Sequence, residues 1–191
     1  MTIIRTNNVN ESLSLIHQYK VNKKPILIIC TIPKITVYNT GRNDINLEYC
    51  QEYNIPVIPF ISNGGSAISN VGDIGVYFGI KNNYGYWCRH VRQAIKLWLS
   101  TQGINSHIKN NDLTIHGKKF LGYTEHPNDI YSSGAIFIAM SNSQTLVNEI
   151  CLKPKTRITA GLNEYGICAS EIIDIIIEAT NDYLNMMKGG S

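Results

Sequence analysis

The residue best suited to chemistry in this 191-residue chain is Lys119, in the segment NNDLTIHGKKFLGYT (110–124). The dipeptide His116–Gly117 predicts a hairpin turn, so the lysine would begin the second strand of the hairpin. A compact ammonium group suits negative charge that develops on a carbonyl oxygen or a phosphate. Taken alone, a lysine in a basic pair is most often a solvated surface residue. Because strand side chains alternate, only one of Lys118 and Lys119 can face a pocket.

A second candidate is the glycine-rich segment ISNGGSAISNVGDIGVYFGI (61–80), which lies upstream of the lysine among residues that favour strands. Glycine inside a strand costs roughly 0.5–1 kcal/mol relative to alanine, so this density of glycines requires a reason. Turns, bulges and the close approach of a ligand to the backbone are the usual ones. An ordinary sheet with glycine turns and a backbone-lined slot for a substrate are both compatible with the segment.

A third candidate is Cys151, because a thiolate is the nucleophile that acyl transfer needs and a nearby lysine would favour the thiolate. Its neighbours Ile150 and Leu152 describe a buried thiol at the end of a helix equally well. The chain has five cysteines with no C-x-x-C spacing, which argues against a disulfide framework and a zinc site. Its five histidines show no ligand spacing either. No metal site is therefore predicted.

Composition excludes several classes of protein. With 43% hydrophobic and 16% charged residues, the chain is an ordinary globular sequence, and its length suits one domain over 1–191 without an accessory domain. The net charge of +3 comes from scattered basic residues, unlike a nucleic-acid-binding surface. The apolar run near the C-terminus is broken by Asp174 and Glu178. We expect a soluble, cytoplasmic protein with neither membrane nor nucleic-acid partners.

The elements that would position these candidates alternate irregularly between helix and strand. Helices are predicted over 11–20, 44–53, 86–102, 143–150 and 169–187, and strands over 25–30, 34–40, 55–61, 72–80, 112–124 with its turn, and 134–140. Strands come in runs without regular βα alternation. The predicted fold class is α+β, a mixed or antiparallel sheet with helices packed on it.

The order of these blocks resembles the catalytic domain shared by lipoate-protein ligases, octanoyl transferases and biotin-protein ligases. The resemblance spans about 35–165, and the matching positions are Gly41–Arg42, Asn46, Glu48, Gly64, Gly65, Gly72, Lys119 and Gly122. The chain departs from the family where Pro59, Phe60 and Ile61 replace an arginine region and Ser69–Asn70 replaces a His-Asp pair. The resemblance implies the biotin/lipoate ligase-like catalytic fold, which is class II synthetase-like.

The resemblance also implies roles for individual residues. Lys119 would bind the acyl carbonyl and the phosphate of an acyl-adenylate, or polarise a thioester carbonyl. Asn111 and Asp112 match positions that help to hold a nucleotide, although both are also common turn residues. Cys151 matches the nucleophile of octanoyl transferases. In those enzymes a proline precedes the cysteine and a glycine follows it, whereas Ile150 and Leu152 flank it here. The residues expected to contact the substrate are Gly64, Gly65, Ser66, Gly72, Asp73, Gly122 and Gly134.

Three activities follow from the resemblance. A lipoate-protein ligase would use ATP and Mg²⁺ to make an acyl-adenylate and attach a lipoyl or octanoyl group to a lysine of a lipoyl acceptor domain. A transferase would need no cofactor and would take octanoate from acyl carrier protein through a Cys151 thioester. A divergent, non-catalytic relative would bind an acyl group or an acceptor protein. The resemblance favours the ligase slightly.

Overall fold

The computed structural model describes residues 1–22, 25–60, 65–81, 86–110, 112–127, 131–152 and 159–189. The strands are β1 Thr2–Thr6, β2 Ile26–Thr31, β3 Thr36–Asn39, β4 Val57–Pro59, β5 Ala67–Ser69, β6 Ile74–Lys81, β7 Ser106–Lys109, β8 Asp112–Ile115, β9 Lys118–Pro127 and β10 Tyr131–Ile138. The helices are α1 Val9–Asn22, α2 Leu47–Glu52, α3 Trp87–Thr101, α4 Gln144–Ile150 and α5 Ala169–Gly189, with a 3₁₀ turn at Leu162–Tyr165.

The strands form two sheets. The larger has the order β1-β2-β6-β10-β9-β8-β7, and the smaller has the order β4-β3-β5. In the larger sheet β1 runs parallel to β2, and the other neighbours are antiparallel. This arrangement confirms the predicted α+β class with a mixed sheet.

Helices α3 and α5 cover one face of the larger sheet. Val91, Ile95 and Leu99 of α3 are fully buried and recur at helical spacing, so one stripe of this helix lies in the main core. Burial of each such side chain stabilises the fold by about 1.5–3 kcal/mol. Between the two helices, Trp87 Nε1 donates to Thr180 Oγ1 at 3.0 Å.

The opposite face of the sheet meets the smaller sheet and α1. Because side chains alternate along a strand, Val76 and Phe78 of β6 pack toward α3 and α5, while Tyr77 faces the smaller sheet. There the Tyr77 hydroxyl donates to the Tyr38 hydroxyl at 3.2 Å. The ring centroids of Tyr38 and Phe137 are 4.7 Å apart. This aromatic layer joins the two sheets on the face that also carries Lys119.

Most predicted elements are confirmed with small changes of boundary. The predicted helix over 44–53 is shorter because Asn46 is its N-cap, where Oδ1 accepts from Tyr49 N at 3.1 Å. The predicted turn is confirmed, since His116 and Gly117 have φ values of 49° and 76°, the left-handed pair that a two-residue hairpin turn requires. Three strands, β1, β5 and β7, lie outside the predicted ranges. None of the described helices is long and apolar enough to cross a membrane.

Candidate active site

Lys119 forms an ion pair with Asp112 across the β8–β9 hairpin. Lys119 Nζ lies 2.9 Å from Asp112 Oδ1, and the side chains are 37% and 6% exposed. The carboxylate is therefore buried while part of the lysine still reaches solvent. Because burial disfavours the charged ammonium, it lowers the pKa of Lys119. Of the basic pair, Lys119 is the residue held over the buried carboxylate.

A β-bulge in β9 puts Lys119 on this face. Thr114 pairs with Lys119, but the preceding residue Leu113 pairs with Leu121, so Phe120 is an extra residue in β9. Both Phe120 and Leu121 then pack in the core beneath α3 and α5. The bulge thus allows two consecutive apolar residues to be buried while a lysine precedes them on the other face.

Gly122 makes room for the lysine. A Cβ atom on Gly122 would lie 2.7 Å from Lys119 Nζ and 2.9 Å from its Cε, closer than real contacts allow. The same Cβ would lie 3.4 Å from Asp112 Oδ1. The ammonium group of Lys119 occupies this space, and the predicted substrate contact of Gly122 stays a prediction.

Two polar segments border the lysine strand. Thr159 forms a parallel bridge with Lys119, and Ala160 N donates to Lys119 O at 2.9 Å. Thr159 N donates to Gln144 Oε1 at 2.8 Å, and its hydroxyl donates to Asn142 Oδ1 at 3.3 Å. Sequence reasoning missed Asn142 and Gln144. The available signal was a run of polar residues directly after an apolar strand and before a helix.

In the glycine-rich segment, Ser66 is bound to Asp44. Ser66 Oγ donates to Asp44 Oδ1 at 2.6 Å, and Ser66 N donates to Oδ2 at 3.0 Å. Thr40 N donates to the serine hydroxyl at 3.2 Å. A Cβ on Gly65 would lie 3.3 Å from Asp44 Oδ2. The serine, which is 4% exposed, thereby ties the start of β5 to the segment after β3.

Asp73 is a second buried carboxylate, held by backbone amides. Its Oδ2 accepts from Asn70 N at 2.7 Å, and its Oδ1 accepts from Met140 N at 2.8 Å and more weakly from Ser141 N at 3.5 Å. These bonds tie the turn before β6 to the chain after β10. Burial raises the pKa of Asp73 to about 6, despite the amide bonds, which lower it. These contacts make Asp73 a cross-link within the fold.

Two predicted substrate glycines have local structural reasons. Gly72 has φ +82° and nothing within 4 Å of a built Cβ, so the turn conformation alone explains the glycine. A Cβ on Gly134 would lie 2.6 Å from Cys88 Sγ and 3.2 Å from Trp87 Cε3. Gly134 therefore faces α3, on the side of the sheet away from Lys119, and allows the helix to approach. The remaining predicted positions Gly64 and Asn111 lie outside the described residues.

No protein family and no curated protein matches this sequence, but solved structures match its fold. A bi-partite lipoate protein ligase from Thermoplasma acidophilum, determined in a study of its lipoylation system, has a TM-score of 0.78 at 14% identity and covers 96% of this chain and 83% of that chain. A lipoate-protein ligase A bound with ATP has a TM-score of 0.79 at 13% identity, covering 96% and 85%. The biotin protein ligase of Leishmania major with biotinyl-5-AMP scores 0.54 at 11% identity, covering 93% and 71%.

The chain has the catalytic fold of lipoate and biotin protein ligases. The resemblance read from the glycine-rich and lysine segments is thereby confirmed at the level of the fold. In this ligase fold, the described part of the chain holds no group of three or more His, Cys, Asp and Glu side chains able to bind a metal ion.

Within the ligase fold, Cys151 lies at the C-terminal end of α4. It is half-buried and pairs with Ile45 in an antiparallel bridge. Burial raises the pKa of the neighbouring Cys50 thiol, and the charge of Cys151 raises it further. Gln144, which contacts Thr159 beside the lysine strand, begins the same helix. The cysteine and the lysine segment therefore border opposite ends of α4. The seven residues of this helix span about 10 Å.

Proposed function

We propose that this protein is a lipoate-protein ligase-like enzyme that attaches a lipoyl or octanoyl group to a lysine of a lipoyl acceptor domain. The observation that carries the proposal is the Lys119–Asp112 pair within the ligase fold. A buried carboxylate holds an ammonium whose side chain is still one-third exposed, so the cation is fixed in place before a substrate arrives. Such a preorganised cation stabilises charge that develops on a carbonyl or phosphate oxygen.

In the ligase reaction, the acyl carboxylate would take the adenylyl group from ATP and pyrophosphate would leave, and Mg²⁺ would supply positive charge for the phosphates. Lys119 fits this chemistry because an ammonium can donate hydrogen bonds to phosphate and carbonyl oxygens at once. Asp112 would hold the lysine in position. The amine of the acceptor lysine would then attack the activated carbonyl, and AMP would leave.

Cys151 supports a second candidate, an octanoyl transferase. Its thiol is half-buried at the end of α4, not enclosed in the core as Cys30, Cys50 and Cys88 are. In this reaction its thiolate would attack the octanoyl thioester of acyl carrier protein and release the carrier thiol. The acceptor amine would then take the acyl group from Cys151, with Lys119 polarising the carbonyl in both steps.

Intact-mass measurement of an apo lipoyl domain separates these functions. The purified protein is incubated with the acceptor and either lipoate with Mg-ATP or octanoyl-acyl carrier protein. A lipoyl mass gain that requires ATP and survives in Cys151→Ala supports the ligase. An octanoyl gain from the carrier that disappears in Cys151→Ala but not in Cys50→Ala supports the transferase. No gain from either donor with folded protein would leave only a non-catalytic binding role.

A further inference from the structure

The hairpin that carries Asp112 lies at an edge of the larger sheet. Strand β7 is the last in the order, three of its four residues are exposed, and Lys109 pairs with Asp112 at the turn. Asn110, at the start of the turn, has φ 57°. Strand β8 also pairs with β9, but β7 is the last strand in the order, so the sheet holds the turn before Asp112 from one side only.

Arg92 of α3 supplies an anchor at this turn. Its Nη1 donates to the carbonyl oxygen of Asn110 at 2.9 Å. Its guanidinium carbon also lies 5.0 Å from the ring centroid of Tyr123. Tyr123 directly follows Gly122, the residue over which the lysine ammonium lies. One guanidinium therefore contacts both the turn that precedes Asp112 and the strand that carries Lys119.

Arginine suits this double contact better than lysine does. Its planar group can lie over an aromatic ring while an in-plane N–H donates to a carbonyl. A lysine ammonium can make either contact but lacks the flat fork that makes both together.

We propose that Arg92 is a positioning residue for the Lys119–Asp112 pair. From the opposite face of the sheet, Arg92 fixes the turn at Asn110 against Tyr123 and so keeps the carboxylate beside the lysine. The role rests on the proposed function of Lys119. Loss of Arg92 frees the turn, and Asp112 then moves relative to Lys119. Among the described residues, Asp112 is the one acid within ion-pairing distance of Lys119 Nζ.

The test compares Arg92→Ala and Arg92→Lys with Arg89→Ala as a matched control. Arg89 lies on the same helix, and its guanidinium carbon is 5.1 Å from the ring centroid of Tyr86. The first readout is the pH at which Lys119 is half-labelled by acetic anhydride, followed by peptide mass spectrometry. The second is turnover in the lipoyl-domain assay, with kcat and KM determined separately.

Arg92→Ala should lower the labelling midpoint of Lys119, since a more distant carboxylate favours the ammonium less. It should also reduce kcat about 10-fold, as expected when a catalytic group is misplaced, while KM for the acyl donor changes less than about 3-fold. Arg92→Lys should fall between Arg92→Ala and the wild type, and Arg89→Ala should match the wild type. If Arg92→Ala does not fold, Arg92→Lys provides the same comparison.

A wild-type midpoint and wild-type kcat in a folded Arg92 variant would overturn the positioning role. The two proposals fail in different ways. A wild-type protein that transfers no acyl group refutes the proposed function, whereas the labelling midpoint of Lys119 still tests Arg92, because it needs no activity. An equal fall of the midpoint in Arg89→Ala would mean that any disturbance of α3 has the effect, because loss of a positive charge by itself would raise the midpoint, and it would also refute the specific role of Arg92.

Discussion

The lysine block (residues 112–122) and the glycine block (residues 65–73) are equally prominent in the sequence, but they have different structures. Each contains a buried carboxylate. In the lysine block, Asp112 is paired with an ammonium whose side chain remains 37% exposed. In the glycine block, Asp73 accepts hydrogen bonds from backbone amides, and Ser66 is bound to Asp44. One block leaves a charged group partly exposed, and the other uses its polar groups to join segments of the chain.

The difference shows that buried carboxylates in two prominent motifs can have quite different partners. A buried carboxylate that holds a partly exposed cation leaves a charged group available for chemistry. A carboxylate enclosed by backbone N–H groups has its hydrogen-bonding capacity used within the fold. Substitutions should therefore mainly affect activity in the lysine block and stability in the glycine block.

The largest effect is expected for Lys119→Ala. Loss of a preorganised cation should reduce acyl transfer by at least about 100-fold. Lys118→Ala is the matched control, since this neighbouring lysine pairs with Ile115 on β8 and is not the one that contacts Asp112. Rates are measured by intact mass of the acceptor domain. Full activity of Lys119→Ala, or an equal loss in Lys118→Ala, would remove the distinction between the blocks.

The pH dependence of stability should identify Asp73 as a structural carboxylate. Its pKa rises from an ordinary 3.8 to about 6 on folding, so between these values the folded protein keeps a proton that the unfolded chain has lost. Its contribution to the free energy of unfolding therefore falls as pH rises through this window, by about 3 kcal/mol in total. Urea unfolding of wild type and Asp73→Asn from pH 4 to 7 measures the difference. Parallel profiles would contradict the assignment.

Ser66→Ala should cost about 2 kcal/mol of stability, because it removes a hydrogen bond to a charged group at a buried position. If the main role of Ser66 is its contact with Asp44, turnover should stay within about 2-fold of wild type at a temperature where the variant is fully folded. Denaturant unfolding and the acyl-transfer assay give the two numbers. A large loss of turnover with unchanged stability would place Ser66 in the binding site after all.

In free energy, the smallest effect is expected for Gly122→Ala, whose turnover should fall about 10-fold, which corresponds to about 1.4 kcal/mol. The new methyl group would meet the end of the flexible Lys119 side chain, which can move away from Asp112 at little cost in stability. Gly72→Ala is the contrasting variant, since it should lose about 1–2 kcal/mol of stability through its positive φ and keep its turnover. Wild-type turnover of Gly122→Ala would show that the glycine does not position the lysine.

Much of the fold could be predicted because its central elements have clear local patterns. The apolar spacing of α3 and the His116–Gly117 turn are examples. Two of the three missed strands, β1 and β7, form the two edges of the larger sheet. Most of their residues are exposed, so neither shows the alternation of apolar and polar residues that predicts a strand.

Only part of the site could be predicted. The order of the blocks pointed to Lys119 and Gly122, which the structure brings together. The ion pair with Asp112 depends on a bulge and on strand register, which are non-local and leave little local signal. The direction in which Gly134 faces depends on the same register, so its contact with α3 leaves no local signal in the sequence, and its substrate role stays a prediction. The substrate roles of the other glycine-block residues stay predictions.

The bulge at Phe120 makes the site sensitive to the number of residues in β9 as well as to their types. Deletion of Phe120 would restore simple two-residue alternation from Lys119 to Gly122. The lysine and the glycine that now admits its ammonium would then be two residues apart, and Leu121 alone would remain to fill the core space of two side chains. A single-residue deletion that keeps every charged group of the site would thus be as damaging to the core as a large-to-small substitution, because one strand sets both the packing and the position of the lysine.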